Sequence, residues 1–343
     1  MEHHSNDLPW RVAAHTVHIA LTPDGRLDEA DFDRQLERYK SRLALVAITG
    51  ASNVTGFINP IHRLAEKTHA AGAMIMVDCA QLAPHRQVDV RPLSDPAHLD
   101  FITLSAHKMY APFGTGALIG RVDVFSQGDP DLTGGGTVEI VTLDDVVYTS
   151  PPDRDEAGSP NTVGAVALAA AIRQLEAVGM HRVAEHEAEL TAHALSRLSS
   201  VPGVCIYGDS NPANAAQRLG VIPLMLTSTP HFLASAILGY EFGIGVRSGC
   251  FCAHPYILHL LGLSQEEAHQ VRATMLSGDK SHMPGLIRAS FGLYNTIEEV
   301  DYLVQALTHI AKGEYYGRYI QERATGEYKP VNWVPSFEEY FKL

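Results

Sequence analysis

The sequence lacks several features that would assign it to a particular class of protein. No run of about 18 uncharged apolar residues occurs, as a membrane-spanning helix requires. The first residues, MEHHSNDLPW, do not form the basic and then apolar segments of a secretory signal. Basic residues are in the minority, 26 against 39 acidic ones, which gives a formal net charge of −13. These absences predict a cytoplasmic protein that binds neither membranes nor nucleic acid.

Cysteine is also scarce, with four residues in a chain of 343: Cys79, Cys205, Cys250 and Cys252. So few cysteines in a long chain without a signal peptide do not indicate a disulfide framework, so we expect free thiols. The pair Cys250 and Cys252 lies near His254, but a closed zinc site needs about four ligands at a recognisable spacing. No metal centre is therefore expected.

Strand-like and helical segments alternate along the chain. Apolar LALVAITG (43–50) is followed by the helical pattern NPIHRLAEKTHAAG (59–72) and by apolar AMIMVDCA (73–80), which predicts a βαβ unit of a buried parallel sheet. Strand-like segments at 99–108 and 116–120 continue the pattern, and long helices are predicted between 161 and 200. The sequence therefore predicts an α/β fold, with a large domain over 1–175 containing a mainly parallel sheet. A smaller C-terminal α/β domain with an aromatic tail is predicted over 176–343.

Polar side chains follow three of the predicted strands. They are Asn53 after the first, Asp78 and Gln81 after the second, and Ser105, His107 and Lys108 after the third. Ligands of open α/β sheets bind at the carboxyl ends of the strands. A lysine and an aspartate there fit pyridoxal 5'-phosphate (PLP) chemistry, in which lysine forms a Schiff base and a carboxylate pairs with the pyridinium nitrogen. Each residue alone is typical of a turn or surface position, so the prediction depends on their combination.

Longer motifs extend this pattern. The segment SNVTGFINPIHRLAEKTHAAGAMIMVDCAQLAPHRQVDV, followed by DFITLSAHKMYAPFGTGALIG, resembles fold-type I, class V aminotransferases, and within them the cysteine desulfurase and selenocysteine lyase group. The resemblance extends from EHHSNDLPW through AGSPNTVGAV and GVRSGCFCAHP to IRASFGLYNTIEEVD. It implies a PLP-dependent enzyme that removes sulfur from L-cysteine, giving alanine and a cysteine persulfide.

The resemblance also implies how the cofactor is held. Lys108 would carry PLP and move protons at the substrate Cα, while Asp78 would pair with the ring nitrogen. The other expected cofactor residues are Gln81 at the phenolic oxygen, His3 rather than His4 stacked on the ring, Asn53 near the ring oxygen and substrate carboxylate, and Ser105 and His107 at the phosphate. Ser159 would reach the phosphate of a neighbouring subunit, which predicts a homodimer.

At the substrate side, Arg288 matches the carboxylate-binding arginine of the family, and Arg247 is also expected to bind the substrate. A guanidinium binds a carboxylate through two parallel hydrogen bonds, which an ammonium group does not. Cys252 matches the nucleophilic cysteine, and the nearby Arg247 and His254 would favour its thiolate form. Cys250 is left with three roles: a sulfur relay, a disulfide with Cys252, or structural filling.

Two departures from the family are expected to matter. A segment on the order of a hundred residues, which usually supplies a phosphate-binding helix N-terminus, precedes these motifs in the family. Three explanations are expected: the sequence is a fragment or has a misplaced start, the protein binds PLP weakly, or a partner chain completes the site. The segment between Cys252 and Arg288 is longer than in compact members, so it reshapes the substrate entrance or binds a sulfur-acceptor protein. The alternative functions are another class V reaction, namely a C–S lyase, epimerase or aminotransferase, and a catalytically inactive partner subunit.

Overall fold

The computed structural model describes residues 1–334 and 341, and these form two compact units. The parallel-sheet unit comprises Ala30–Ala51 and Asn59–Val183, and the antiparallel-sheet unit comprises Met1–Glu29, Ser52–Ile58 and the described part of Ala184–Leu343. The predicted functional division at residues 175 and 176 stays a prediction. Positions 335–340 and 342–343 of the aromatic tail lie outside the described residues.

The described residues contain helices and strands that alternate through most of the chain. The helices are α1 Leu8–Ala13, α2 Glu29–Tyr39, α3 Ile61–Ala70, α4 Val122–Phe125, α5 Thr162–Val178, α6 Met180–Leu198, α7 His231–Phe242, α8 His254–Leu260, α9 Gln265–Leu276 and α10 Ile297–Ala311. The strands are β1 Leu45–Thr49, β2 Met74–Asp78, β3 Phe101–Ser105, β4 Gly116–Gly120, β5 Val138–Val141, β6 Val146–Tyr148, β7 Val204–Ile206, β8 Val221–Leu226, β9 Arg247–Gly249, β10 Leu286–Ser290, β11 Tyr319–Gln321 and β12 Tyr328–Pro330.

The parallel-sheet unit is built on a four-stranded sheet of order β1-β2-β3-β4. The pairs β1/β2 and β2/β3 are parallel. Helix α3 connects β1 to β2 and buries Ile61, Leu64, Ala65 and Thr68, which recur at the i, i+3, i+4, i+7 spacing of one helix face. The predicted α/β fold with a mainly parallel sheet is confirmed.

Strand β4 differs from its neighbours because it runs antiparallel to β3. Only residues 106–115 connect the two strands, and a parallel crossover needs a dozen or more residues. The chain therefore turns back directly after β3, and this turn contains Lys108. Two further strands, β5 and β6, form a separate hairpin.

The antiparallel-sheet unit contains a second sheet of order β7-β8-β10-β9, in which every neighbouring pair is antiparallel. Helix α10 begins with a capping box, in which Thr296 and Glu299 satisfy each other's backbone N–H groups. Its buried face joins a core that also draws on α6, α7, β8 and β10. Fully or nearly fully buried members of this core include Leu190, Leu195, Ile222, Leu224, Ile237, Leu238, Ile287, Leu303 and Leu307.

Within the described residues, no single helix has the length and apolar character needed to cross a membrane. Helices α5 and α6 pass the length and composition criteria only when taken together, and they bend by 76° where they meet at Gly179.

Candidate active site

In the parallel-sheet unit, Asp78 and Ser105 are the last residues of two adjacent parallel strands, β2 and β3. The carboxyl ends of both strands therefore lie at one edge of the sheet, where ligands of such sheets bind. Asp78 Oδ1 accepts hydrogen bonds from the Ala80 N–H (2.9 Å) and from the Thr103 hydroxyl (3.5 Å). These contacts fix the carboxylate at the edge of the sheet while it remains half-buried.

Lys108 lies in the 3-10 turn Ala106–Met109 that directly follows β3. The turn is fixed at both ends, because the Ala106 N–H donates to Thr115 O (3.0 Å) and the Ala111 N–H donates to Ala106 O (3.0 Å). Tyr110 ends the turn with a left-handed backbone, φ 65°. The structure thus places the half-buried Lys108 just beyond the strand end that the sequence predicted.

The predicted phosphate residues differ in exposure. Ser105 is half-buried, whereas His107 and Ser159 are exposed. The loop that contains Ser159 is tied to the loop after Lys108, since Asn161 Nδ2 donates to Phe113 O (2.6 Å) while Asn161 Oδ1 caps α5 at the Gly164 N–H (2.9 Å). Hydroxyl and imidazole groups at this edge are suitable partners for phosphate oxygens.

In the antiparallel-sheet unit, Cys252 lies in a strained tight turn. The turn is closed by the Ala253 N–H, which donates to Cys250 O (2.8 Å). Phe251 and Cys252 both have positive φ, 53° and 55°, a conformation that costs a non-glycine residue roughly 1–2 kcal/mol. Cys252 is exposed and Phe251 is 4% exposed. The exposed thiol therefore lies on a backbone that neighbouring groups must hold in place.

Two hydrogen bonds from distant segments hold this turn. Asn53 Nδ2 donates to Phe251 O (2.9 Å), and the His4 N–H donates to Cys252 O (2.7 Å). The Phe251 side chain is buried in a small apolar cluster that includes Val54 and Ile257. The turn is thus fixed by contacts to both of its strained residues.

Arg288, on β10, is held beside the same turn. One terminal nitrogen donates to Asn53 O (2.8 Å), and the guanidinium lies 5.1 Å from the centre of the Phe251 ring. Its buried Nε has no hydrogen-bond partner, and no carboxylate pairs with Arg288 among the described residues. Burial lowers the pKa of Arg288 to about 10, with the charge of Arg247 as the second cause, so it is cationic at neutral pH. An unpaired guanidinium of this kind can bind a carboxylate.

The histidines near Cys252 form a contact that sequence reasoning missed. The His4 and His254 rings stack at 4.9 Å with an angle of 5° between their planes, and the His254 N–H donates to His4 Nε2 (3.3 Å). Burial and then His4 lower the pKa of His254. His3, which we expected to stack on the cofactor, accepts the Ser5 N–H through Nδ1 (3.2 Å) and so caps the turn His4–Asn6.

Cys250 has a different environment from Cys252. Its buried thiol donates to Pro284 O (3.0 Å), and burial, followed by the charge of Cys252, raises the pKa of Cys250 to about 12. A neutral, hydrogen-bonded thiol is a poor nucleophile. Of the roles left open for Cys250, the environment favours structural filling.

The predicted site residues fall into two sets, one in each unit. The parallel-sheet unit contains Asp78, Gln81, Ser105, His107, Lys108 and Ser159, and the antiparallel-sheet unit contains His3, Asn53, Arg247, Cys252 and Arg288. Within the second set the structure brings Asn53, Cys252 and Arg288 around Phe251. Arg247 is exposed and lies opposite Arg288 in the antiparallel register of β9 and β10.

The sequence of the chain is similar to those of known proteins. The family model described as aminotransferase class-V matches residues 1–303. A cysteine desulfurase of Serratia proteamaculans is 35% identical over 318 residues, which are 91% of this chain and 70% of that protein. A cysteine desulfurase of Escherichia coli K12 is 36% identical over 320 residues, 90% of this chain and 69% of that protein.

Solved structures give the same result. The apo structure of a cysteine desulfurase from Thermococcus onnurineus has a TM-score of 0.77 and 33% identity, covering 91% of this chain and 71% of that one. The Escherichia coli cysteine desulfurase CsdA has a TM-score of 0.76 and 29% identity, covering 92% of this chain and 71% of that one.

Proposed function

The chain belongs to the class V aminotransferase family, and we propose that it is a PLP-dependent cysteine desulfurase that acts on L-cysteine. The observation that carries the proposal is the exposed Cys252 on a strained turn, held by Asn53 beside the unpaired guanidinium of Arg288. The relatives of similar sequence are cysteine desulfurases, which supports the same reaction class.

The donor groups at the parallel-sheet edge suit PLP. Asp78 would face the ring nitrogen as an anion, and Lys108 would carry the cofactor covalently. Gln81 would bond the phenolic oxygen, Ser105 and His107 would bond the phosphate, and Ser159 would reach the phosphate of a neighbouring subunit. When bound, PLP supplies an electron sink for charge that develops at the substrate Cα.

The substrate is held by its α-carboxylate. The guanidinium of Arg288 has its buried Nε available for a two-point contact, and its other side is fixed by Asn53 O and the Phe251 ring. Asn53 and Arg247 complete the proposed substrate contacts. Once the substrate is bound, the Lys108 amine would take the proton from Cα and return it later.

We assign sulfur transfer to Cys252. Its thiolate attacks the substrate sulfur, so an S–S bond forms while the Cβ–S bond breaks. The electron pair of the Cβ–S bond stays with carbon, which takes up a proton. L-cysteine and the enzyme thiol become L-alanine and an enzyme persulfide, with no external oxidant. A sulfur-acceptor protein would then take up the persulfide sulfur. The homodimer and the placement in the cytoplasm stay predictions.

The test compares Cys252→Ala and Cys250→Ala with the parent protein loaded with PLP. After incubation with L-cysteine, alanine is quantified and intact-protein mass spectrometry detects one added sulfur atom. We expect the parent protein and Cys250→Ala to form alanine and persulfide, and Cys252→Ala to form neither. Alanine formation by Cys252→Ala at the parent rate would contradict the proposal, and pyruvate with free sulfide would indicate a C–S lyase.

Lys108→Ala tests the cofactor role separately. The parent protein should show a visible absorbance band with PLP that disappears on borohydride reduction and leaves the cofactor covalently attached, and Lys108→Ala should show no covalent link. A parent protein that takes up no PLP would support the inactive partner subunit instead.

A further inference from the structure

A second cluster of metal-ligating side chains lies in the parallel-sheet unit, around Asp100. This carboxylate immediately precedes β3 and is fully buried. His69 Nε2 lies 2.8 Å from Asp100 Oδ2, and His98 Nε2 lies 3.2 Å from Asp100 Oδ1. The Ile75 N–H (2.9 Å) and Arg121 (3.2 Å) also donate to the carboxylate. The cluster is at the amino end of β3, at the opposite end of that strand from Ser105.

The other nitrogen of each ring also faces an acceptor. His69 Nδ1 lies 2.6 Å from Pro96 O, and His98 Nδ1 lies 2.7 Å from Asp95 O. Carbonyl and carboxylate oxygens only accept hydrogen bonds, and a neutral imidazole has a single N–H. Protons alone therefore satisfy all four contacts only if both rings are imidazolium ions.

Positive charges on both rings would lie close together. The His69 and His98 rings stack with centroids 4.1 Å apart, so their charges would repel across a short distance. Arg121 adds a third cation beside the same carboxylate, although Asp123 also pairs with Arg121. A cation shared by the two Nε2 atoms and Asp100 would make the same contacts without two charged rings.

We propose that His69, His98 and Asp100 form a binding site for a divalent transition-metal ion, with Zn²⁺ the best match. The ligand atoms lie within 4.8 Å of one another. A divalent ion in place of the two Nε2 protons leaves the total charge of the cluster unchanged and removes the repulsion between two charged rings. Each ring would keep its Nδ1–H as a donor to a backbone carbonyl, the usual support for a metal-bound histidine.

The ligand set and its access fit zinc. Two imidazole nitrogens and one carboxylate are ligands that Zn²⁺ prefers, and three protein ligands leave a fourth position for water. Bonds of about 2.0–2.1 Å in a tetrahedral site separate ligand atoms by roughly 3.3 Å, so the closest pair must move apart slightly. The His69 side chain is 18% exposed, which gives an ion a route from solvent.

The ligands come from two segments, namely α3 for His69 and the loop before β3 for His98 and Asp100. A bound ion would therefore cross-link these segments, and its main effect would be on stability rather than catalysis. Ligands that bind only the folded state raise its stability by mass action. This proposal does not depend on the proposed desulfurase activity.

The test uses Co²⁺ as a spectroscopic substitute for Zn²⁺, added to chelator-treated parent protein and to His98→Gln and His62→Gln. His62 is the matched control, because its Nδ1 also bonds a backbone carbonyl, Ala97 O, but it is outside the three-residue group. We expect one Co²⁺ per chain with tetrahedral visible bands in the parent and His62→Gln. Affinity should fall at least about 100-fold in His98→Gln, since loss of an outer-shell partner alone costs 10–100-fold.

Absence of binding by the parent protein, or equal binding by His98→Gln, would overturn the proposal. If His98→Gln does not fold, long-range ¹H–¹⁵N spectra of the parent decide the question. Zn²⁺ should displace the Nε2 protons of both rings while their Nδ1 protons remain. Rings that stay doubly protonated in excess Zn²⁺ would show that the cluster is only an ion-pair network.

Discussion

Asn53 donates its side-chain amide to the carbonyl oxygen of Phe251, at 2.9 Å, from 198 residues away in the sequence. The backbone carbonyl of the same asparagine accepts from Arg288. One residue therefore fixes both the turn that presents Cys252 and the guanidinium proposed to bind the substrate carboxylate. The relative placement of the proposed nucleophile and the proposed carboxylate site therefore depends on Asn53, together with the His4 N–H that holds Cys252 O.

Replacing Cys252 by glycine should give a more stable protein than replacing it by alanine. Both variants lack the thiol, but only alanine keeps the side-chain clash of the left-handed backbone. The expected difference is about 1 kcal/mol in the free energy of unfolding, measured with urea. Cys205, exposed on the extended strand β7, provides the control. At position 205 the glycine variant should be less stable than the alanine variant. The same order of stabilities at positions 205 and 252 would contradict a strained turn at Cys252.

Arg288→Lys should weaken cysteine binding more than it slows turnover. Lysine keeps a positive charge but loses the planar contact with the carboxylate and the stacking on Phe251. The loss of one charge-assisted hydrogen bond corresponds to a KM increase of roughly 10- to 100-fold. Steady-state kinetics with varied L-cysteine measures this, with urea unfolding as the control for folding. An unchanged KM would contradict the proposed role of Arg288 in substrate binding.

The buried thiol of Cys250 should make stability fall at alkaline pH. Burial, followed by the charge of Cys252, raises its pKa from 9.0 to about 12. Between these values the unfolded state loses a proton that the folded state retains, so stability decreases as the pH rises. The contribution is at most about 1.4 kcal/mol per pH unit. Urea unfolding between pH 8 and pH 11 should show a shallower decline for Cys250→Ala. Parallel curves for the two proteins would contradict the assignment.

Asp78→Asn should weaken PLP binding and abolish most turnover, because an amide does not stabilise a protonated ring nitrogen. Loss of one charge-assisted contact predicts roughly 10- to 100-fold weaker binding. Titration of PLP, followed by visible absorbance, measures the affinity. Thr103→Val is the matched control, since it removes the 3.5 Å hydroxyl contact and leaves the carboxylate in place. Equal PLP affinities of the parent protein, Asp78→Asn and Thr103→Val would contradict a role of Asp78 in cofactor binding.

The parallel sheet and its polar edge could be predicted from sequence because the information is local. Apolar strands end in Asp78 and Ser105, and the direction of parallel strands then places both residues at one edge. The turn of Lys108 follows directly. The strand pattern alone does not show that β4 runs antiparallel to β3. That direction follows from the short length of the loop between the two strands.

The Cys252 turn and the Asp100 cluster could not be predicted in the same way. The sequence GCFCAHP has neither glycine nor asparagine at the two left-handed positions, so no local signal indicates the turn. The contacts from Asn53 and His4 impose it from distant segments. Similarly, His69 is separated from His98 and Asp100 by a helix end and a strand, and only the folded sheet joins them.

Arg247 and Arg288 are directly opposite each other on β9 and β10, and this pairing gives the site an electrostatic preference for anions. Like charges in cross-strand pairs destabilise a sheet. An anion bound between them would offset that repulsion, so a bound carboxylate should stabilise the sheet as well as occupy the proposed site. Dissolved salt weakens exposed charge interactions over about 8–10 Å at physiological ionic strength. Chloride or sulfate should therefore have two opposed effects on this protein: it should stabilise the unliganded sheet, and it should compete with the carboxylate of the proposed substrate.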